Sequence, residues 1–230
     1  MIVTLDDATS EVYSGFFVPE EGTMSTFRAL GEVIGGRGLF CSFYTDRGSH
    51  YWHTPKAGGK VDKDNPTQVG RALAQLGIEP IAAYSPEARG RSERMFGTLQ
   101  QRLPQALRLA GITTMDEANR FLVETFWPAH NARFAVSAED AGSAFVPFAG
   151  DLADILCIQD DRVVGNDNTV RYKGLTLPIP ADRHRHHYAK ATVRVHEYPD
   201  ASLAVLHGPR CLARFDANGS EIENPARKVA

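Results

Sequence analysis

No apolar run in this sequence approaches the roughly 20 residues needed to cross a bilayer, and no charged N-terminal stretch leads into an apolar segment with a cleavage site. That pattern points to a cytosolic protein without a membrane partner. Cysteine is scarce: Cys41, Cys157 and Cys211 are an odd, widely spaced set, which excludes a disulfide framework and a cysteine-based zinc site. Gly35-Gly36 is not followed by Gly-Lys-Ser/Thr, so a phosphate-binding loop is excluded. A strong net charge is missing too, since 25 Lys and Arg face 28 Asp and Glu for a balance of -3. Nor is there an internal repeat. What remains, 43% hydrophobic and 23% charged over 230 residues, is the composition of an ordinary globular protein with room for one medium domain and a smaller second unit.

The pattern along the chain changes character near residue 151. Before it, strands and helices alternate, as in an α/β core with at least part of its sheet parallel. Met1 to Leu5, a turn at Asp6 to Ser10, and Val12 to Val18 read as a hairpin. Thr23 to Ile34 has Phe27, Leu30 and Ile34 at helical spacing, and Gly35-Gly36 is expected to stop that helix. Leu39 to Tyr44 reads as a buried parallel strand, and the polar stretch from His53 to Pro66 as a loop. A helix over Thr67 to Leu76 and a strand over Ile78 to Ala83 follow. Gly90 to Leu103 is helical by pattern, with Pro104 expected to kink it or start a new helix. Thr114 and Glu117 form a capping-box pattern, and Pro128 is expected to close the helix that follows. Residues 137–154 are small and helix-poor, as in a linker.

From about Ile155 the chain turns to short β-prone runs separated by Gly165-Asn166, Lys173-Gly174, Pro199-Asp200 and Gly208-Pro209. Ile155 to Ile158, Arg162 to Val164, Thr169 to Tyr172, Leu175 to Ile179, Thr192 to Tyr198, Leu203 to His207 and Cys211 to Phe215 predict a small β-barrel over 155–216. Residues 217–230 predict a disordered tail. Charge is uneven despite its balance. Arg89, Arg91, Arg94, Arg102 and Arg108 face only Glu93, and 171–194 hold Arg171, Lys173, Arg183, Arg185, Lys190 and Arg194 against Asp182 alone. Such patches can neutralise phosphates within an acidic chain; solvated faces are the alternative.

Two carboxylates stand where an α/β sheet builds its sites. Asp46 lies just past a strand, in Thr45-Asp46-Arg47-Gly48-Ser49, and Glu93 near the start of a helix that follows another strand, in Ser85-Pro86-Glu87-Ala88-Arg89-Gly90-Arg91-Ser92-Glu93-Arg94. Oxygen donors suit a hard divalent cation, and paired ions can serve phosphoryl transfer. A turn residue and a dipole-favoured surface acid are the plainer accounts. These two motifs resemble those around the second and third acids of the retroviral-integrase superfamily. Asp6-Asp7-Ala8-Thr9-Ser10 is similar to the turn between that family's second and third strands, and His130-Asn131-Ala132-Arg133-Phe134 to the segment closing its core. The resemblance runs over roughly residues 1 to 148 and is closest to bacterial insertion-sequence transposases.

The resemblance implies a catalytic core at 1–136 of RNase H-like fold, a mixed sheet with helices, ahead of the small all-β barrel. It implies a Mg²⁺ or Mn²⁺ site with Asp46 and Glu93 as catalytic metal ligands, and cleavage and strand transfer on transposon ends and target DNA. Arg89, Arg91, Arg94, Arg102, Arg183, Arg185 and Lys190 are the expected DNA contacts, and a homo-oligomer in the cytoplasm, on the nucleoid, is the expected setting. The family's first strand, with its acid, is expected to be absent, because only Met1 to Leu5 precede the matching turn. Asp6 and Asp7 are alternative sources of that acid, although they cap a hairpin at the wrong end of a strand. Gln100 stands where relatives carry a basic residue. His184, His186 and His187 suit a DNA-facing surface better than a metal cluster, while His50 to His53 fit either base stacking or core packing of Trp52. Asn131 and Arg133 fit a phosphate contact or a helix cap. The first reading is therefore a transposase lacking part of its core, with weak or no activity alone. The alternatives are a non-catalytic DNA-binding remnant that competes with full-length relatives, and an RNase H-like nuclease without end specificity.

Overall fold

A computed structural model describes residues 1–56, 59–84, 90–140, 142–181 and 185–222. The chain divides into two compact units, Met1–Gly150 and Asp151–Ala230. In the first, β1 (Ile2–Leu5) and β2 (Val12–Phe16) form an antiparallel hairpin whose turn is held by Asp6. Its Oδ2 accepts from Thr9 N (3.0 Å) and from Thr9 Oγ1 (2.7 Å). α1 (Thr23–Arg37) runs through Gly35 and Gly36, past the expected stop, and ends at Gly38, whose φ of 106° suits only glycine. Packing of Phe27, Leu30, Val33 and Ile34 outweighs the poor helix propensity of two exposed glycines.

β3 (Ser42–Thr45) and β4 (Glu79–Ala82) pair in parallel around α2 (Gln68–Leu76), which Thr67 caps through a bond from Gly70 N. The expected burial of β3 is not seen: only Thr45 is buried and Tyr44 is 53% exposed. α3 (Gly90–Leu109) continues through Pro104 without a break. The carbonyl deprived of its partner there belongs to exposed Gln100, where water can satisfy it.

After α4 (Met115–Phe121), started by the expected Thr114/Glu117 capping box, the helical segment does not end at Pro128. It widens into one π turn at Leu122–Phe126 and resumes as α5 (Trp127–Phe134), with Pro128 in the first turn of the resumed stretch. This helical segment covers the outer edge of β2. Asn131 both donates to Val12 O and accepts from Val12 N (2.9 Å each), Asn119 does the same to Phe17 (3.1 and 2.6 Å), and Trp127 Nε1 donates to Gly15 O (2.7 Å). Side-chain amides thus take the place of a neighbouring strand. For Asn131 this replaces both expected roles, phosphate contact and helix cap. Val146, in the expected linker, bridges to Leu39.

The second unit is an open antiparallel sheet of five strands in the order β11-β10-β9-β8-β5, with β5 (Ile158–Val163), β8 (Thr192–Glu197), β9 (Leu203–His207), β10 (Arg210–Phe215) and β11 (Glu221–Ile222). A separate hairpin, β6 (Thr169–Tyr172) with β7 (Leu175–Pro178), shares its core of Val170, Tyr172, Leu177, Val195, Val205 and Phe215. The expected closed barrel is therefore corrected to an open sheet with a hairpin packed on it. Among the described residues, β6 and β7 form a ladder with each other and with no strand of the five-stranded sheet, which ends at β5 and at the two residues of β11. Residues 155–157 form a turn rather than the expected strand, with Leu156 N bonded to Leu152 O. Glu221–Ile222, expected in the tail, pair with Arg214 and Phe215, while 223–230 lie outside the described residues.

Candidate functional site

β3 and β4 run parallel and in register, Thr45 opposite Ala82, so the chain leaves both at one end of the sheet. Asp46 is at that end. Its Oδ1 accepts from Gly48 N (2.9 Å), an Asx turn that holds the carboxylate at the strand terminus. Beneath it, Trp52 Nε1 donates to buried Thr45 Oγ1 (2.8 Å), which fixes the strand end and settles Trp52 as a core residue, 6% exposed, rather than a base-stacking one. His50 packs on Tyr51 with ring centroids 4.0 Å apart.

Glu93 is exposed in the first turn of α3, where the helix dipole favours an acid. A cavity of about 1020 Å³ is lined by Asp46 together with Gly90, Ser92 and Arg94 of that same turn. Glu93 itself is not among the lining residues. Asp6 and Asp7 also line the cavity, but at its other end. The ring of Phe145 packs against Tyr13 at the start of β2 (5.6 Å) and against Phe40 ahead of β3 (6.3 Å). The hairpin turn therefore lies beside the beginning of β3, and Asp46 beside its end. Among the described residues, no three His, Cys, Asp or Glu side chains gather to hold a metal ion. Two carboxylate oxygens have the right chemistry for a hard cation, but they do not make a full ligand set.

The expected DNA contacts differ in setting. Arg94 is exposed and its Nε donates to Gly90 O (3.1 Å). Arg102 is partly buried over the Phe134 ring (5.0 Å), with Nη1 enclosed and unbonded. Buried His130 lies close by, and its pKa is lowered by desolvation and then by the charge of Arg102. Arg185 and Lys190 are exposed in the second unit, Arg185 over the Tyr188 ring (5.0 Å). Arg89, Arg183 and His184, with the side chain of Arg91, lie outside what is described. The basic stretch is weaker than its sequence window implies. Lys173 Nζ pairs with Glu197 (2.6 Å) and Arg194 Nε with Asp161 (2.8 Å), acids brought in from neighbouring strands.

Sequence reasoning missed the clamp of Asn119, Trp127 and Asn131, because amides this far from their partners give no local signal. It also missed the cation-histidine pair of Arg102 and His130.

Comparison with known proteins gives two relatives over most of the chain. No family model matches. "Putative transposase y4bF" of Sinorhizobium fredii (strain NBRC 101917 / NGR234) is 34% identical over 210 residues, 89% of this chain and 45% of that protein. The transposase for insertion sequence IS1202 of Streptococcus pneumoniae is 28% identical over 189 residues, 81% of this chain and 40% of that protein. By sequence, this chain is similar to bacterial transposases, one of them the transposase of an insertion sequence. It spans less than half the length of either relative. No helix among its described residues is long and apolar enough to cross a membrane.

Proposed function

We propose that the chain is the core and C-terminal portion of an RNase H-like transposase that acts on the ends of an insertion sequence and on target DNA. The observation that carries this reading is the kinship with two named transposases across more than four-fifths of the chain. The arrangement of the first unit supports it. An antiparallel pair and a parallel pair of strands flank a gap, with Asp46 and the first turn of α3 at one end. Asp46 and Glu93 are the proposed catalytic ligands of Mg²⁺ or Mn²⁺, which when bound supplies charge stabilisation at a phosphodiester. Arg89, Arg91, Arg94 and Arg102 in the first unit, and Arg183, Arg185 and Lys190 in the second, are the proposed DNA contacts. A homo-oligomer assembled on DNA is the proposed working form, at the nucleoid.

The two carboxylates fall short of a full ligand set, so the 230-residue chain alone is expected to show no strand transfer. The test incubates the purified chain, and a version extended upstream along its own gene, with labelled duplexes carrying the repeats that flank that gene. Mg²⁺-dependent joining by the extended version alone, lost in Asp46→Asn and Glu93→Gln, is the expected result. Joining by the 230-residue chain that Asp6→Asn or Asp7→Asn abolishes would overturn the assignment of the site's incomplete end. No joining by either form under any divalent cation would overturn the enzymatic reading.

A further inference from the structure

The polar stretch between β3 and α2, expected as a loop, is tied down at the end of the sheet where Asp46 stands. Arg47, the next residue, donates from Nη1 to Gly59 O (3.2 Å), and its guanidinium lies over the ring of Tyr84 (5.3 Å). Tyr84 lies two residues past the end of β4, and its hydroxyl accepts from Val61 N (3.2 Å). Thr45 and Ala82 are opposite each other, so both ties lie beyond the same end of the parallel pair. His53 O accepts from Asp62 N (2.7 Å), and Thr67 Oγ1 donates to Tyr51 O (3.0 Å) at the base of the loop. Val61 itself is buried.

Lys56, Lys60 and Lys63 stand exposed on this ordered backbone, and among the described residues none of them has an ion pair or a side-chain hydrogen bond. Each lies beside a tie. Lys60 falls between Gly59 and Val61, and Lys56 O accepts from Gly59 N (2.8 Å) in a turn where a Cβ on Gly59 would come within 2.9 Å of that oxygen. Lys63 follows Asp62, whose Oδ1 accepts from Asp64 N (3.0 Å) and Asn65 N (3.3 Å). Asp62 therefore directs a carboxylate oxygen to backbone N–H groups rather than to a lysine, and exposed Asp64 is the other acid of the loop. The second unit does the opposite, closing Lys173 and Arg194 into ion pairs. Fixing a polar stretch costs conformational entropy, and here the ties present three unpaired ammonium groups near Asp46.

We propose that Lys56, Lys60 and Lys63 form a contact surface for the phosphate backbone of duplex DNA, which they guide to the Asp46 end of the first unit. The inference rests on the proposed DNA reading and adds to it a surface outside the arginine-rich stretches. An ammonium group meets a phosphate as a compact point charge, without the fixed fork geometry of arginine. Lysines held on an ordered backbone can engage successive phosphates at a lower ordering cost than lysines on a loose one. A protein partner is disfavoured by the composition of the surface. Among the described residues of the loop, no exposed aliphatic or aromatic side chain offers the buried anchor on which protein interfaces depend.

The test follows acetylation of lysine amines by an N-hydroxysuccinimide ester, site by site by mass spectrometry, with the 230-residue chain free and then saturated with a non-cognate DNA duplex. Lys56, Lys60 and Lys63 are expected to react several-fold more slowly in the complex. Lys56→Gln, Lys60→Gln and Lys63→Gln combined are expected to lower the log-log salt slope of binding by about two to three, whereas arginine at the same three positions leaves it unchanged. These are surface changes, and urea unfolding of each variant checks that the fold is intact. Slowing at Lys190 with none at the three loop lysines would overturn the proposal and leave the DNA reading standing. Slowing at no lysine would overturn both. An unchanged slope in the glutamine variant would also overturn the proposal, since a cation that neutralises a phosphate must register in counterion release.

Discussion

Gly15 shows how a single residue sets the packing of the first unit. A methyl group there would run into the indole ring of Trp127, whose Nε1 bonds the Gly15 carbonyl. Gly15→Ala is expected to destabilise the chain by about 1–3 kcal/mol, the usual range for overpacking, seen as a lower urea midpoint. His130 predicts a pH dependence. Burial first, and the Arg102 charge second, hold its pKa below the ordinary value. Below about pH 6.5 the unfolded chain takes up a proton that the folded chain declines, so stability present at neutral pH is lost as the pH falls from there toward the depressed folded value. Urea unfolding at pH 7.5 and 5.5 is expected to show a smaller loss in His130→Gln than in the parent chain. An equal loss in both would remove His130 as the source.

At the scale of the element, α1 is the instructive case. Gly35 and Gly36 lie inside it, exposed, with nothing near the position of an added Cβ. Gly35→Ala and Gly36→Ala are each expected to raise stability by roughly 0.5–1 kcal/mol, through helix propensity and a less flexible unfolded chain. Thermal unfolding measures this, and a lower Tm for either variant would show that the glycine has a packing role. Gly38 behaves differently, since its positive φ and its contact with the Val146 backbone leave no place for a side chain. The π turn at Leu122–Phe126 likewise belongs to the element: it carries the helix past Pro128 and aligns Asn119, Trp127 and Asn131 along one strand edge.

For the whole molecule, ion pairs within the second unit reduce the charge that can serve the proposed DNA affinity. With Lys173 and Arg194 engaged by Glu197 and Asp161, binding of a non-cognate duplex is expected to fall between 50 and 200 mM salt with a slope of about 3–5 in log-log form. Arg185→Ala and Lys190→Ala are each expected to reduce that slope by about one, measured by fluorescence anisotropy. A slope unchanged in both variants would move the interface elsewhere.

Local order was legible in the sequence because its causes are local. The β1–β2 hairpin follows from alternating apolar residues around Asp6-Asp7, the start of α4 from Thr114 and Glu117, and the strand-end position of Asp46 from an apolar run that breaks at Thr-Asp-Arg-Gly. The kinship was legible for the same reason, since motifs are contiguous. Edges, closures and charge partners were not. Whether β5 meets β11, whether Gly35-Gly36 ends a helix, and which acids neutralise Arg194 and Lys173 depend on contacts between residues far apart in the chain. The cavity flanked by β1 and β3 belongs to that second class. Apolar periodicity reports which side of a strand is buried, but an open edge is a property of backbone groups that every residue carries alike, and only the tertiary structure decides which of them find a partner.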